Sequence, residues 1–255
     1  MSGRDDREAR REERLDEEEQ AGVAERRRQQ LIKVGSAAAF LVLVAVVVAV
    51  VVSQGGGGGD ASNVKGVSDV ERLLTGIPQK KLVLGESSAK VALVEFGDLQ
   101  CPVCKGYSEE ALPPVIESRV RNGEATLEFR NYTIIGPESI PAGAAAIAAG
   151  KQGRGWEFVE LFYRNQGAED SGYVTDEFLT AIAEGAGVPD IAQWDKDRKD
   201  KAVVREVEET TAEARELGFN GTPSFAVEGP GTKGLEPIGT PESIEALEEA
   251  ISNAR

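Results

Sequence analysis

Histidine is absent from the 255 residues. Its absence removes the Ser-His-Asp and Cys-His nucleophile arrangements and the commonest neutral metal ligand. Cysteine occurs only twice, as Cys101 and Cys104. A structural zinc site takes four ligands, mostly thiolates and imidazoles, so one copy of this chain cannot complete one; two subunits sharing a metal remain the only such arrangement. Cations are in short supply, with 29 Lys and Arg against 44 Asp and Glu and a formal net charge of −15. Phosphate binding needs clustered cations, so nucleic acid is excluded as a partner and the acidity reads as solubility. Hydrophobic residues, at 40%, suffice for a packed core in one large domain or two small ones.

Charge is also missing from one long stretch, VGSAAAFLVLVAVVVAVVV, residues 34–52. As a helix it would span about 28 Å, close to the hydrocarbon thickness of a bilayer. A cleaved signal peptide fits poorly: the segment before the apolar run exceeds 30 residues and no A-x-A site follows. We read residues 34–53 as a retained transmembrane helix. Arg26, Arg27, Arg28 and Lys33 precede it, and no cation follows until Lys65. The positive-inside rule then places residues 1–33, dense in Arg and Glu, in the cytoplasm and everything after residue 54 outside. Residues 1–33 read as a solvated or disordered segment, and the Gly-rich 54–66 as a flexible tether.

The outer region, residues 67–255, reads as α/β. Ser68 and Glu71 suggest a capping box opening a short helix that Gly76 and Pro78 end. A short strand is expected at 81–84 and a buried one at 91–96, VALVEF, running straight into the cysteines. A helix follows, which Pro113 and Pro114 should kink or end. A second long strand is expected at 125–131. Helical patterns then cover 141–151, 156–165, 175–184 and 201–217, an insertion spanning roughly 137–217. Strands at 224–227 and 235–238 lead to a last helix capped at Thr240–Pro241. Trp156 and Trp194 read as packing residues, Lys105 as solvated, and Asp98 as a turn or cap residue.

The stretch FGDLQCPVCKGY carries the chemistry. A structural disulfide closing so small a ring would contribute only about 2 kcal/mol, against nearly 5 for a long loop, so as a staple it is poorly placed. A redox dithiol needs a reactive thiolate and a second thiol in reach. If a helix begins near Cys101, the sulfur of Cys101 faces unpaired backbone N–H groups and the positive end of the dipole. Pro102 then falls at the first helical position, where its missing N–H costs nothing. Cys104 lies one turn on and less exposed. The domain's negative charge opposes a thiolate, but distant charges are screened beyond about 8 Å.

VEFGDLQCPVC, with GFNGTPSF far downstream, resembles the membrane-anchored DsbA-like thiol-disulfide oxidoreductases. The resemblance covers about residues 66–255. It implies a thioredoxin-like fold with an inserted helical domain, preceded here by the single transmembrane helix. It aligns Cys101 with the attacking cysteine and Cys104 with the resolving one. Thr222–Pro223 aligns with a cis-proline site beside the active sulfur, where residue 222 pairs with an extended client strand. Pro102, Val103, Thr222 and Pro223 would then meet the client. Glu95 aligns with an acidic residue beneath the site. Read from the strand alone, it is either a buried carboxylate with a raised pKa or a strand-end side chain reaching solvent. In one respect the chain departs from the best-known oxidants of the family, which carry histidine between the cysteines where this chain has Val103. Without that cation a weaker oxidant is expected.

The resemblance implies an enzyme without cofactor, exchanging disulfides with reduced or misoxidised exported proteins. Oxidation of clients is the expected direction; it requires a membrane redox partner, plausibly quinone-linked, to restore the disulfide. Reduction or isomerisation is the alternative direction. The rival of another class is a tethered binding module with an inert disulfide.

Overall fold

A computed structural model of the chain describes residues 63–255. The charged segment 1–33, the apolar run 34–53 and most of the tether 54–66 lie outside the described residues. Among the described residues, no helix is long and apolar enough to cross a membrane.

One six-stranded sheet organises the fold. β1 (Gln79–Lys80) and β2 (Val83–Leu84) form a small hairpin, followed by β3 (Val91–Gly97), β4 (Ala125–Asn131), β5 (Ser224–Glu228) and β6 (Glu236–Gly239). The strand order is β1-β2-β4-β3-β5-β6. β3 and β4 are parallel, with Glu95 opposite Phe129, and the other pairs are antiparallel. A parallel pair needs a crossover. Here it is the helical run that starts at the cysteines.

That run is continuous but irregular. α2 (Pro102–Gly106) passes into a π turn (Tyr107–Ala111), then α3 (Leu112–Val115) and a second π turn (Ile116–Val120). Pro113 and Pro114 do not end it. They supply no N–H at the start of α3, and the helix absorbs the loss by widening, so that Leu112 donates to Tyr107, five residues back.

The helices of the insertion are α4 (Ser139–Lys151), α5 (Gly155–Arg164), α6 (Asp176–Gly185), α7 (Ile191–Asp197) and α8 (Lys201–Glu216), and α9 (Ile244–Asn253) closes the chain. Trp156 and Trp194 are fully buried and donate to the carbonyls of Leu82 and Ala145, both at 3.0 Å, tying α5 to the hairpin and α7 to α4. The short α7 has no counterpart in the pattern read from the sequence. Two other expectations are corrected. α1 (Val67–Leu74) begins on Gly66, whose φ of 83° is in the left-handed region, and Ser68 caps nothing. α9 is capped by Ser243, which accepts from Ala246 N–H at 3.3 Å; Thr240 instead donates to the carbonyl of Pro223 at 2.7 Å.

Strand alternation sorts β3 onto two cores. Val94 and Phe96 face a small cluster with Tyr132, Ala214, Phe219 and Ala226. Val91 and Leu93 face the large core, which includes Cys104, Leu112, Val115, Trp156 and Phe158. Glu95 has the parity of Val91 and Leu93, so its carboxylate enters the apolar core beneath the cysteine helix.

Asp98 joins the two halves. Its buried carboxylate accepts from Gln100 N–H at 2.9 Å, Ile134 N–H at 2.8 Å and Ile135 N–H at 3.0 Å. It thereby pins the loop before Cys101 to the entrance of the insertion, the turn role expected for it. Asp98→Ala should strand these donors and lower stability by about 3 kcal/mol or more, read from equilibrium urea unfolding.

Candidate active site

The loop from Gly97 to Cys101 is held from several sides. Cys101 N–H donates to the carbonyl of Asp98 at 2.9 Å. Gln100 donates to the Ser139 hydroxyl at 3.0 Å and accepts from Asp170 N–H at 3.0 Å. Gln166 donates to the carbonyls of Leu99 at 2.7 Å and Cys101 at 3.1 Å. The insertion therefore grips the loop that presents the first cysteine.

Cys101 is the residue before the first helical turn, with extended backbone (φ −74°, ψ 120°), and Pro102 follows at the start of α2. Its Sγ accepts from Cys104 N–H at 3.4 Å and faces the carbonyl of Thr222, also at 3.4 Å. Both thiols are free in this structure. The Cys101 thiol is pulled down from 9.0 to about 6, chiefly by the Cys104 thiol, while burial opposes. The Cys104 thiol is raised well above 9.0, chiefly by burial. One sulfur is built to carry charge and its partner to hold a proton.

Thr222–Pro223 is a cis peptide, as expected from its alignment. Pro223 is buried and Thr222 half-buried, beside the Cys101 sulfur. Pro102 is exposed, and Val103 is 53% exposed and available to a partner. A groove of about 490 Å³ runs from Val103 past Tyr107, Ala111 and Ile244, and its rim carries Glu110, Glu242 and Glu245. Tyr107 closes its floor by donating to the carbonyl of Pro241 and packing on Phe225 at 5.6 Å. Among the described residues, no group of three or more acidic or sulfur side chains is placed to hold a metal ion.

Glu95 is fully buried, and among the described residues neither carboxylate oxygen has a hydrogen-bond partner. The strand-end reading is overturned: the side chain does not reach solvent. Burial, and then the charge of Glu160, push it up from 4.5 to about 8. Lys105, as expected, is at the surface, 4.0 Å from Glu109. Sequence reasoning missed Glu160, a buried carboxylate of α5 bonded to Ser108. The available signal was a glutamate between Val159 and Leu161 in WEFVELFY, where the only other charge is Glu157.

Three comparisons bear on this geometry. The thioredoxin family model matches residues 78–253. A probable disulfide bond formation protein D of Bacillus cereus is 33% identical over 149 residues, covering 57% of this chain and 69% of that protein. Among solved structures, a thioredoxin-like oxidoreductase from Silicibacter pomeroyi superposes with a TM-score of 0.55 at 28% identity, covering 72% of this chain and 96% of that one. Oxidised BdbD from Bacillus subtilis superposes with a TM-score of 0.60 at 21% identity, covering 70% and 97%, a likeness of fold.

The first expected outcome concerns Cys101. In the reduced protein its thiolate absorbance should titrate near pH 6, and a midpoint near the ordinary 9.0 would refute the reading of its surroundings. The second concerns Glu95. A carboxyl raised from 4.5 to about 8 stays neutral in the fold while it ionises in the unfolded chain, so it loses stability as pH rises across that window. Glu95→Met should therefore be more stable than the parent, by about 3 kcal/mol at pH 7, and the pH-dependent part of that difference should vanish below pH 4. Unfolding midpoints across that range would read it.

Proposed function

The chain belongs to the thioredoxin family and is a thiol-disulfide oxidoreductase of the DsbA type, and from that premise we propose that it forms disulfides in exported proteins through Cys101 and Cys104. The observation that carries the direction is the asymmetry of the two thiols. A depressed pKa at Cys101 stabilises the reduced form at neutral pH and makes the disulfide the stronger oxidant.

A client thiolate attacks Sγ of Cys101 in the disulfide form, and the Cys101–Cys104 bond breaks. Cys104 leaves as a thiolate and takes the proton of Glu95, the buried acid raised for that task. A second client thiolate then attacks the client sulfur of the mixed disulfide, and Cys101 leaves as the stabilised thiolate. The client is oxidised, and the enzyme holds a Cys101 thiolate and a Cys104 thiol, with Glu95 ionised until it takes a proton from water. An external oxidant must accept two electrons to restore it, and a membrane partner linked to quinone fits that need.

The client is held by its backbone against Thr222 and by Pro102, Val103 and Pro223 around the sulfur. The reaction takes place outside the cytoplasmic membrane, with residues 34–53 as the anchor, residues 1–33 in the cytoplasm and the tether setting the reach. Disulfide chemistry on exported chains is favoured in that compartment. Without a cation at Val103, the Cys101 thiolate is held by the Cys104 thiol, the Thr222 side chain and the backbone N–H groups of Val103 and Cys104, all uncharged, which puts the oxidising power below that of relatives with histidine there.

Two measurements test the reading. Equilibration with glutathione should place the pair at about −120 to −180 mV; a value near −270 mV would make the chain a reductase. Cys104→Ser should accumulate mixed disulfides with client proteins through Cys101, whereas an inert staple would leave none.

A further inference from the structure

The reaction described above uses one buried carboxylate, but the core beneath the cysteine helix holds two. Glu95 of β3 and Glu160 of α5 are both fully buried. Their surroundings differ in kind. Glu95 has no hydrogen-bond partner among the described residues. Glu160 Oε1 accepts the hydroxyl of Ser108 at 3.0 Å. Its Oε2 lies 3.5 Å from Nη2 of Arg164, one turn further along α5, an ionic contact without hydrogen-bond geometry. The Arg164 side chain is 20% exposed, so this contact leads from the core to the surface.

A buried carboxylate keeps its charge only where donors and a counter-ion replace water; without them it keeps its proton. Glu160 has both kinds of partner and Glu95 has neither. The two sit together: Ser108, which binds Glu160, lies one turn beyond Cys104, and a Cβ at Gly97 would lie 3.2 Å from Glu95 Oε1 and 3.1 Å from the hydroxyl of Tyr163, the residue three past Glu160 on α5. Two carboxyls so placed cannot both ionise easily, so the partners decide which of them holds the proton.

We propose that Glu160, carried by the helical insertion, is a positioning residue for the exchange reaction: its charge, held by Ser108 and Arg164, keeps the proton on Glu95 beside Cys104. The proposal rests on the reading of Glu95 as the proton partner of Cys104. It gives the insertion a chemical task besides gripping the loop before Cys101, because Ser108 comes from the helix that carries the cysteines while Glu160 and Arg164 come from the insertion.

The charged and titratable groups around the pair agree. Glu160 faces Arg164 and Ser108, which favour its charge, and Glu109, which opposes it; burial is the largest influence and raises it to about 7. Glu95 faces Glu160, the two cysteines and Tyr163, with no cation among them. Its proton is therefore the later of the two to leave, as the partners alone require.

The test uses the reduced full-length protein and the infrared carbonyl stretch of protonated buried carboxyls, with the Glu95 band identified by its loss in Glu95→Gln. In Glu160→Gln the midpoint of the Glu95 band should fall by about one pH unit or more. The alkaline limb of client oxidation should move the same way, and that shift should disappear in the Glu95→Gln background. Glu160→Met, which removes the same charge and buries no amide, replaces Glu160→Gln if the latter fails to fold. A Glu95 midpoint unmoved by either variant overturns the role of Glu160. If instead Glu95→Gln leaves client oxidation unchanged at every pH, the reading of Glu95 fails, while the infrared midpoint still judges whether Glu160 holds its proton.

Discussion

The hydrogen bond from Cys104 N–H to the sulfur of Cys101 is the constraint on which the rest of the site depends. It exists because a helix starts where the first cysteine stands, and the first amides of a helix have no partner within it. Pro102 follows at a position where its missing N–H is harmless. The sulfur takes the place that an oxygen would occupy at an ordinary cap. Much of the surrounding fold keeps that start in place. Asp98 ties the preceding loop to residues 134 and 135, Gln166 holds the carbonyls of Leu99 and Cys101, and the Thr222 carbonyl closes the other side.

Asymmetry is the chemical product of this arrangement. Two cysteines three positions apart share one helical turn, yet one meets backbone donors at the helix end and the other enters the apolar core. Burial disfavours charge, so Cys104 holds its proton and needs a neighbour to exchange it with. In the proposed reaction Glu95 is that neighbour, turned by strand alternation to the same face as Leu93. The helical insertion then adds a third group, Glu160, from an element far away in sequence. The dithiol, the acid and the residue that positions the acid come from the cysteine helix, the sheet and the insertion.

Much of this was legible in the chain. The strand 91–97, the second strand 125–131 and the insertion between strands follow from apolar runs whose length and period are unambiguous. The cysteine pair and the helix start at Pro102 were legible because each rests on local backbone chemistry, whereas the cis site at Thr222–Pro223 came from the family resemblance alone. The misses share a cause. Pro113 and Pro114 read as a kink or an end, but the run continues by widening into π turns, with Leu112, Val115 and Ile116 packed into the core. Ser68 had the right spacing for a cap, yet Gly66 reaches the needed conformation at less cost. Thr240 and Pro241 looked like a helix start and instead brace the cis-proline loop and Tyr107.

By itself the sequence determined the reactive group, its polarity and the α/β frame, since helix ends, thiol spacing and strand period act over a few residues. The apolar run 34–53 and its flanking charges belong to the same class of local signal. Only the tertiary structure decided how deeply Glu95 is buried, that Glu160 shares its core, and that the groove beside Val103 has an acidic rim. Those facts depend on which side chains from distant elements displace water around a carboxylate. Desolvation is a property of the assembled surroundings, and no short stretch of chain contains it.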